Sequence, residues 1–442
     1  MAGNVIGVMA ADAARMILAQ NLLSEYSAKA VEAQMSISTK REKEKVYEKE
    51  KNGCSGSFIN INGIRTGRVR QFGGGVDSQE PVAEKAAETE QNGGMEQIEN
   101  AQTEQAEGEQ GETESTSSEE LVTIRVSTLA QQLSIPMHYI SKMGWDVENG
   151  FKLEVTTFAQ GSGINEALGS GLVDVFTIGA AGVSSCSVYD AVYLFSHCDS
   201  GAGQQFMIRA DSDMAAEKGF NPDYPEVYGT PDSVKDKSFL LPMGTAAQIL
   251  ADMYLEALGL SEDDVTLINM DDTAAYQAFV SGQSDFAKTS YPTADSYDPE
   301  QYLVACSMTN LNCPYYDNIL CSREFYEDES KHDALVALCE QLIRVADVFK
   351  DDQILMDTMM EWYEINGQVC NPDEIEHQVL ERPFFTYDDL TTIDSTASFK
   401  MIADFYAVVG NISDEDLEKV YKNMDDTVIK EALEAYAADY MK

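Results

Sequence analysis

Four short turns in this chain pair small or hydroxyl residues where backbone N–H groups are free to meet a ligand. They are Ser127-Thr128, Gly161-Ser162-Gly163, Gly179-Ala180 and Gly244-Thr245-Ala246. Each is read as the point where a strand ends and a helix begins. A helix N-terminus carries unpaired N–H donors and about half a positive charge, which favours an anion or an electronegative atom. Open sheets bind ligands at such strand ends. One turn of this kind is an ordinary connection; four together point to a binding cleft. Their hydroxyls and amides suit a sulfonate or nitrate oxygen, yet few arginines stand in motif positions to clamp one. Tyr189, Tyr193, Tyr315 and Tyr316 offer the other chemistry, stacking on a heteroaromatic ring, although each alone is more readily core or rim; Tyr291 is a further ligand-binding candidate. Asp317 and Asn318 beside them are hydrogen-bonding candidates, and a turn uses the same residue types.

Catalysis has thin support. His138 and Cys186 are the available reactive groups, and no motif links them. The eight cysteines form no CxxC pair and no histidine stands at zinc-ligand spacing, so neither a metal nor a cofactor is expected. Cys306, Cys313 and Cys321 lie near enough in sequence for one bridge; scattered buried thiols are the simpler reading.

The elements that position these turns are announced by a repeat. Asn165 to Val175 and Tyr276 to Phe286 share the frame Ala-x-x-Ser-Gly-x-x-Asp: a short helix, a glycine stop and a strand starting near the aspartate. A unit used twice implies two similar α/β lobes with a cleft between them. Around the first copy, Val122–Val126 alternates as a strand, Ser127 opens a helix to about Lys142, and strands are expected at 151–157, 173–178, 191–195 and 205–209. Around the second, strands are expected from Phe239, over 265–268 and from Asp285, with a helix to Leu258. This alternation is the mark of a parallel sheet. Beyond Cys321 the chain is expected to be helical, with Glu361-Trp-Tyr-Glu364 packing the back of one lobe.

Composition bounds the rest. The length of 442 residues exceeds one average domain, and an apolar fraction of 44% supports real cores. A formal net charge of −46 argues against nucleic acid and anionic membrane surfaces as partners. Residues 1–72 differ in character from the rest of the chain. Val5–Leu23 is helical in pattern, but Asp12 and Arg15 interrupt it, so it is a poor secretory signal. Cys54 lacks the apolar run that would make it an acylation site. Residues 73–120, built from Glu, Gln, Thr, Ser, Gly and Ala, read as a disordered acidic tether.

The order of motifs resembles a known family. The run Ile135-Pro-Met-His-Tyr-Ile-Ser-Lys-Met-Gly-Trp-Asp-Val-Glu-Asn-Gly-Phe-Lys-Leu-Glu-Val155 is similar to the opening helix and second strand of ABC-transporter substrate-binding proteins of the nitrate/sulfonate/taurine class. Phe158-x-x-Gly161-Ser-x-x-x-x-Ala167-Leu-x-x-Gly171-x-x-Asp174-Val-x-x-Ile178-Gly-Ala is similar to its next signature. Thr230-Pro-Asp-Ser-Val-Lys-Asp-Lys-Ser-Phe-Leu-Leu-Pro-Met-Gly-Thr245 resembles the entry to its second lobe, with Asp236 standing where the family usually has glycine. The likeness runs from Leu121 to the C-terminus.

What the resemblance implies is a two-lobed, type II periplasmic-binding-protein fold with a helical C-terminal region. Lobe 1 would take residues 121–215, lobe 2 residues 216–315, and residues 316–442 would return to lobe 1. The implied ligand is a sulfonate, nitrate or taurine-like solute, or a thiamine-type pyrimidine, delivered by a monomer to a membrane ABC permease. The resemblance also implies export and tethering, commonly through an acylated cysteine; residues 1–72 are then expected to reflect a misassigned gene start. The alternative is an enzyme on the same fold acting on a small heteroaromatic or carboxylate metabolite.

Overall fold

The structure is a computed structural model that describes residues 121–441, apart from residues 244, 369 and 382 and the side chain of residue 273. The readings made for residues 1–120, Cys54 and the acidic tether included, lie outside the described residues, as does Gly244. Two five-stranded sheets organise the rest. In the first, β1 (Val122–Leu129), β2 (Phe151–Phe158) and β3 (Val175–Ile178) run parallel in the order β2-β1-β3. In the second, β6 (Ser238–Leu241), β7 (Thr266–Asn269) and β8 (Phe286–Thr289) repeat that arrangement as β7-β6-β8. The helices feeding β3 and β8 are α2 (Gly161–Gly169) and α5 (Asp272–Val280).

The repeated frame explains why the two halves fold alike. Gly171 and Gly282 stop the two helices with φ of 69° and 82°, a region that L side chains rarely adopt. The two aspartates then do the same job in different sheets. Asp174 accepts the backbone N–H of Arg125 at 2.8 Å, and its own N–H donates to the Arg125 carbonyl. Asp285 accepts the N–H of Ser238 at 2.9 Å and returns a bond to the Ser238 carbonyl. Each aspartate staples the third strand of its lobe to the first. The two copies therefore lie in separate sheets.

The remaining strands correct the expectation of parallel sheets and of where the lobes divide. Strand β4 (Val192–Asp199) edges the first sheet, but β5 (Gln205–Arg209), expected in lobe 1, pairs with β8 and β9 (Tyr302–Ser307) of the second. Strand β10 (Tyr316–Cys321) returns and pairs with β3 and β4. Both strands that arrive from the other lobe run antiparallel to their neighbours, so the sheets are mixed. The chain crosses between lobes through residues 200–204 and 308–315. Those two segments are tied together by Ser200 N–H donating to the Tyr315 carbonyl at 2.9 Å and Met308 N–H donating to the Gln204 carbonyl at 3.1 Å.

Around the first sheet lie α1 (Ile135–Met143), α3 (Gly182–Val188) and the C-terminal helices. Those are α6 (His332–Val348), α7 (Asp352–Ile365), α8 (Pro372–Glu381), α9 (Ala397–Val408), α10 (Asp414–Lys422) and α11 (Thr427–Tyr440). Helix α4 (Ala246–Ala257) covers the second sheet, where Phe239 stacks on Phe286 with ring centroids 4.0 Å apart. Buried rings of this kind contribute packing beyond their area. Asp236 takes φ of 63°, which accounts for glycine being usual at that place. The seven described cysteines, Cys306, Cys313 and Cys321 among them, all carry free thiols. Among the described residues no helix is long and apolar enough to cross a membrane.

Candidate functional site

A small cavity opens where the two lobes meet the first crossing. Its walls come from the loop after β1 (Gln131, Gln132, Leu133), the first crossing (Ser200, Gly203, Gln204), the end of β8 (Ser290, Tyr291) and Asp317 of β10. It has room for about one water molecule as it stands. A larger guest requires the lobes to part. Glycine is needed at Gly203 because a Cβ there would lie 2.7 Å from the ring of Tyr291. The short run Ser200-Gly-Ala-Gly203 thus lets the aromatic wall of lobe 2 lie flat on the crossing strand.

The polar groups of the cavity form one directed chain. Gln132 Nε2 donates to Ser200 Oγ at 3.2 Å, and the Ser200 hydroxyl donates to Asp317 Oδ2 in a short hydrogen bond. Gln132 Oε1 is buried and has no hydrogen-bond partner. Burial pushes the Asp317 carboxyl up to about 7; the Ser200 hydrogen bond pulls the other way without cancelling it. Behind Asp317, Gly179 makes room for the Tyr315 hydroxyl and Asp317 Oδ1, which a Cβ would meet at 2.6 and 2.8 Å. The N–H of Ala180 donates to that Tyr315 hydroxyl at 3.3 Å. On the opposite wall Ser290 Oγ joins Lys288 Nζ at 2.8 Å, and Lys288 is itself held by Asp272 at 2.7 Å.

The rim carries a bridge between the lobes. Residues 383–385, just past α8, are pinned to β4 by Asp199 N–H donating to the Pro383 carbonyl and Phe385 N–H donating to the His197 carbonyl. From that anchored helix, Gln378 Nε2 donates to Asp295 Oδ2 at 2.5 Å and His377 Nε2 lies 3.3 Å from Asp295 Oδ1. Asp295 follows β8 in the other lobe. The Tyr291 hydroxyl donates to Glu381 at 3.4 Å. Asp295 raises the His377 pKa. Loss of water around its carboxylate pushes Glu381 up to about 7, although the residue as a whole is exposed.

The structure brings together only part of the expected site. Tyr291 lines the cavity, and Gly179, Ala180 and Tyr315 pack directly behind Asp317. Ser127 and Thr128 do not start a helix. Their strand runs on to Leu129, in register with β2 to Phe158, and the Thr128 hydroxyl pairs with that of Thr157 at 3.1 Å. Gly161 serves a close approach of α2 to Ala181, and Ser162 is exposed. Thr245 caps α4 by accepting the Ala247 N–H, and Ala246 is buried in that first turn; neither lines the cavity. Tyr316 points the other way, with its ring edge-on to Phe385 at 4.9 Å. Tyr193 stacks on Phe399 in the core, Tyr189 packs against Gly169, and Asn318 is spent on Ser196 and the Ile178 carbonyl. His138 pairs with Glu361 at 3.2 Å. Trp362, expected to pack the back of a lobe, is buried and also braces the cavity loop by donating its indole N–H to the Gln131 carbonyl. Sequence reasoning missed Gln132, Ser200, Gly203 and Ser290. A run of small residues between two strands was the available signal for the crossing.

Two sheets of the same topology, joined by two crossings with a polar cavity at the junction, define a two-lobed solute-binding protein. The chain belongs to the ABC-transporter periplasmic binding protein family. It is 31% identical over 320 residues to a Brachyspira hyodysenteriae protein bearing that family name, across 72% of this chain and 92% of that one. The model of a family described as NMT1/THI5 like matches residues 229–340. Among solved structures, the periplasmic aliphatic sulphonate binding protein SsuA from Escherichia coli shares the fold with a TM-score of 0.51 at 14% identity, over 67% of this chain and 91% of that one. The periplasmic nitrate-binding protein NrtA from Synechocystis PCC 6803 does so with a TM-score of 0.52 at 13% identity, over 72% and 89%. The protein is therefore an extracytoplasmic solute-binding component of an ABC transporter.

Proposed function

We propose that this chain traps a small molecule at the cavity between Gln132, Ser200, Tyr291 and Asp317 and hands it to a membrane ABC permease, as a monomer and without catalysis. The observation that carries the reading is the composition of the cavity wall: both lobes and one of the two crossing segments contribute to it. A guest held there touches groups that move apart when the lobes open, so its binding energy holds the closed form. The two ligand classes in view are an oxyanion, as in the names of the sulphonate- and nitrate-binding structures, and a thiamine-type pyrimidine; Tyr291 beside the cavity supports a ring. Two observations weigh against the enzyme alternative. Burial pushes the Cys186 thiol far above its usual range, and His138 is engaged with Glu361 away from the cavity lining. Tethering to the membrane through the N-terminal region completes the proposal.

Thermal-shift screening of the full chain tests it. Sulfonates, nitrate, taurine and pyrimidines are scanned, because a ligand bound only by the native state raises the melting point. A raised melting point that disappears in Gly203→Val supports capture at this cavity. A ligand whose effect is unchanged by Gly203→Val sinks it.

A further inference from the structure

We infer that the cavity selects a solute presenting N–H donors on a basic or cationic nitrogen group and rejects oxyanions. This rests on the capture function proposed for the same cavity and adds the chemistry of the solute. The direction of the hydrogen bonds decides it. The amide N–H of Gln132 is given to Ser200, and the Ser200 hydroxyl is given to Asp317. The donors of Gln132 and Ser200 thus converge on the carboxylate, and the side-chain amides of Gln131 and Gln204 are the neutral donors left on the wall. Gln132 Oε1 is the clearest acceptor left for a guest: the residue is 5% exposed, lines the cavity, and that oxygen has no partner. An orphaned buried acceptor costs free energy until a donor reaches it. Asp317 supplies the second acceptor on the same wall, and it carries negative charge when ionised.

The cations and the Gly179-Ala180 turn that would welcome an anion are spent or missing. No lysine or arginine lines the cavity among the described residues. Lys288, beside Ser290, is neutralised by Asp272. The Ala180 N–H is capped by the Tyr315 hydroxyl, and Gly179 is packed against Asp317 Oδ1. A sulfonate or nitrate placed here would face a carboxylate at contact range and gain no compensating cation. An amidine or an aminopyrimidine can instead offer one N–H group to Gln132 Oε1 and another to Asp317, a charge-assisted hydrogen bond when the carboxylate is ionised.

The test titrates the full chain by calorimetry with benzamidine and 4-aminopyrimidine on one side and nitrate and ethanesulfonate on the other. The wild type is compared with Asp317→Asn and Gln132→Leu, each checked for a native near-ultraviolet circular dichroism spectrum. The expected result is binding of a nitrogen probe, weakened about ten- to a hundred-fold by Asp317→Asn and by a smaller factor by Gln132→Leu, with no binding of either anion. Anion binding that these variants alter would overturn the inference while leaving capture at the cavity intact. Probes that bind with affinities unchanged in both variants would remove the cavity as the site and with it the capture function. Failure of both nitrogen probes to bind overturns the inference.

Discussion

Replacing Asp317 by asparagine should make the unliganded protein more stable at alkaline pH and leave it nearly unchanged in acid. Burial lifts this carboxyl from an ordinary 3.8 to about 7 in the folded chain. A folded-state pKa raised above the unfolded one means that the native protein holds its proton more tightly. Stability is then greatest below the unfolded pKa, falls as pH climbs from there, and levels off above the folded pKa. The interval from 3.8 to about 7 corresponds to about 4 kcal/mol. Asparagine keeps an acceptor for Ser200 and cannot ionise. Urea unfolding of both proteins at about pH 4.5 and about pH 8 should show the mutant's advantage growing by about 3 kcal/mol across that range. Comparing the two proteins at each pH cancels the shared contributions of the other carboxylates and of the large net charge. An advantage that stays constant between the two conditions would refute the reasoning, because it would mean that Asp317 is ionised at no cost inside the cavity.

Both repeated aspartates should prove stabilising, Asp174 the more so because it also pairs with the Arg125 guanidinium. Asp174→Ala and Asp285→Ala each leave one strand N–H, that of Arg125 or of Ser238, without its acceptor, so each should cost about 1–3 kcal/mol in urea unfolding; a neutral result for either copy contradicts the staple. Asp236→Gly should stabilise by up to about 1 kcal/mol, since the native φ of 63° is strained for a side chain and free for glycine; a loss of stability in thermal melts would count against this. Asp295→Ala breaks the bridge to His377 and Gln378, so the unliganded chain should show a larger radius of gyration in small-angle scattering. In the wild type the same opening should appear as pH rises through the elevated His377 pKa, because that contribution is present while the histidine is charged and is lost above it. An unchanged radius in both experiments contradicts a bridging role.

Much of the architecture was legible because local signals dictated it. The glycine stops at Gly171 and Gly282, with aspartates three residues on, announced the two halves, and both glycines sit where only positive φ closes the helix. The helical tail after Cys321 was readable from apolar periodicity. Where long-range pairing decided the outcome, sequence reading failed. Ser127 and Thr128 look like a helix start, but pairing with β2 extends the strand through them to Leu129. Gln205–Arg209 has the pattern of any strand; that it joins the second sheet depends on the neighbours β8 and β9. The site divides in the same way. Gly179 and Tyr291 were visible by type and by their place after a strand, and Tyr315 by type. Gln132, in a helical stretch, and Ser200, in an unremarked crossing, acquire their roles only when the two lobes are brought to Asp317.

The most direct test of capture between the lobes is a crystal structure of the full chain with the tightest solute from the thermal-shift screen. Density for the solute between Ser200, Asp317 and Tyr291, with lobes closed over it, is the predicted result. Solute density away from this junction, for instance at the start of α4 beside Thr245, would contradict it.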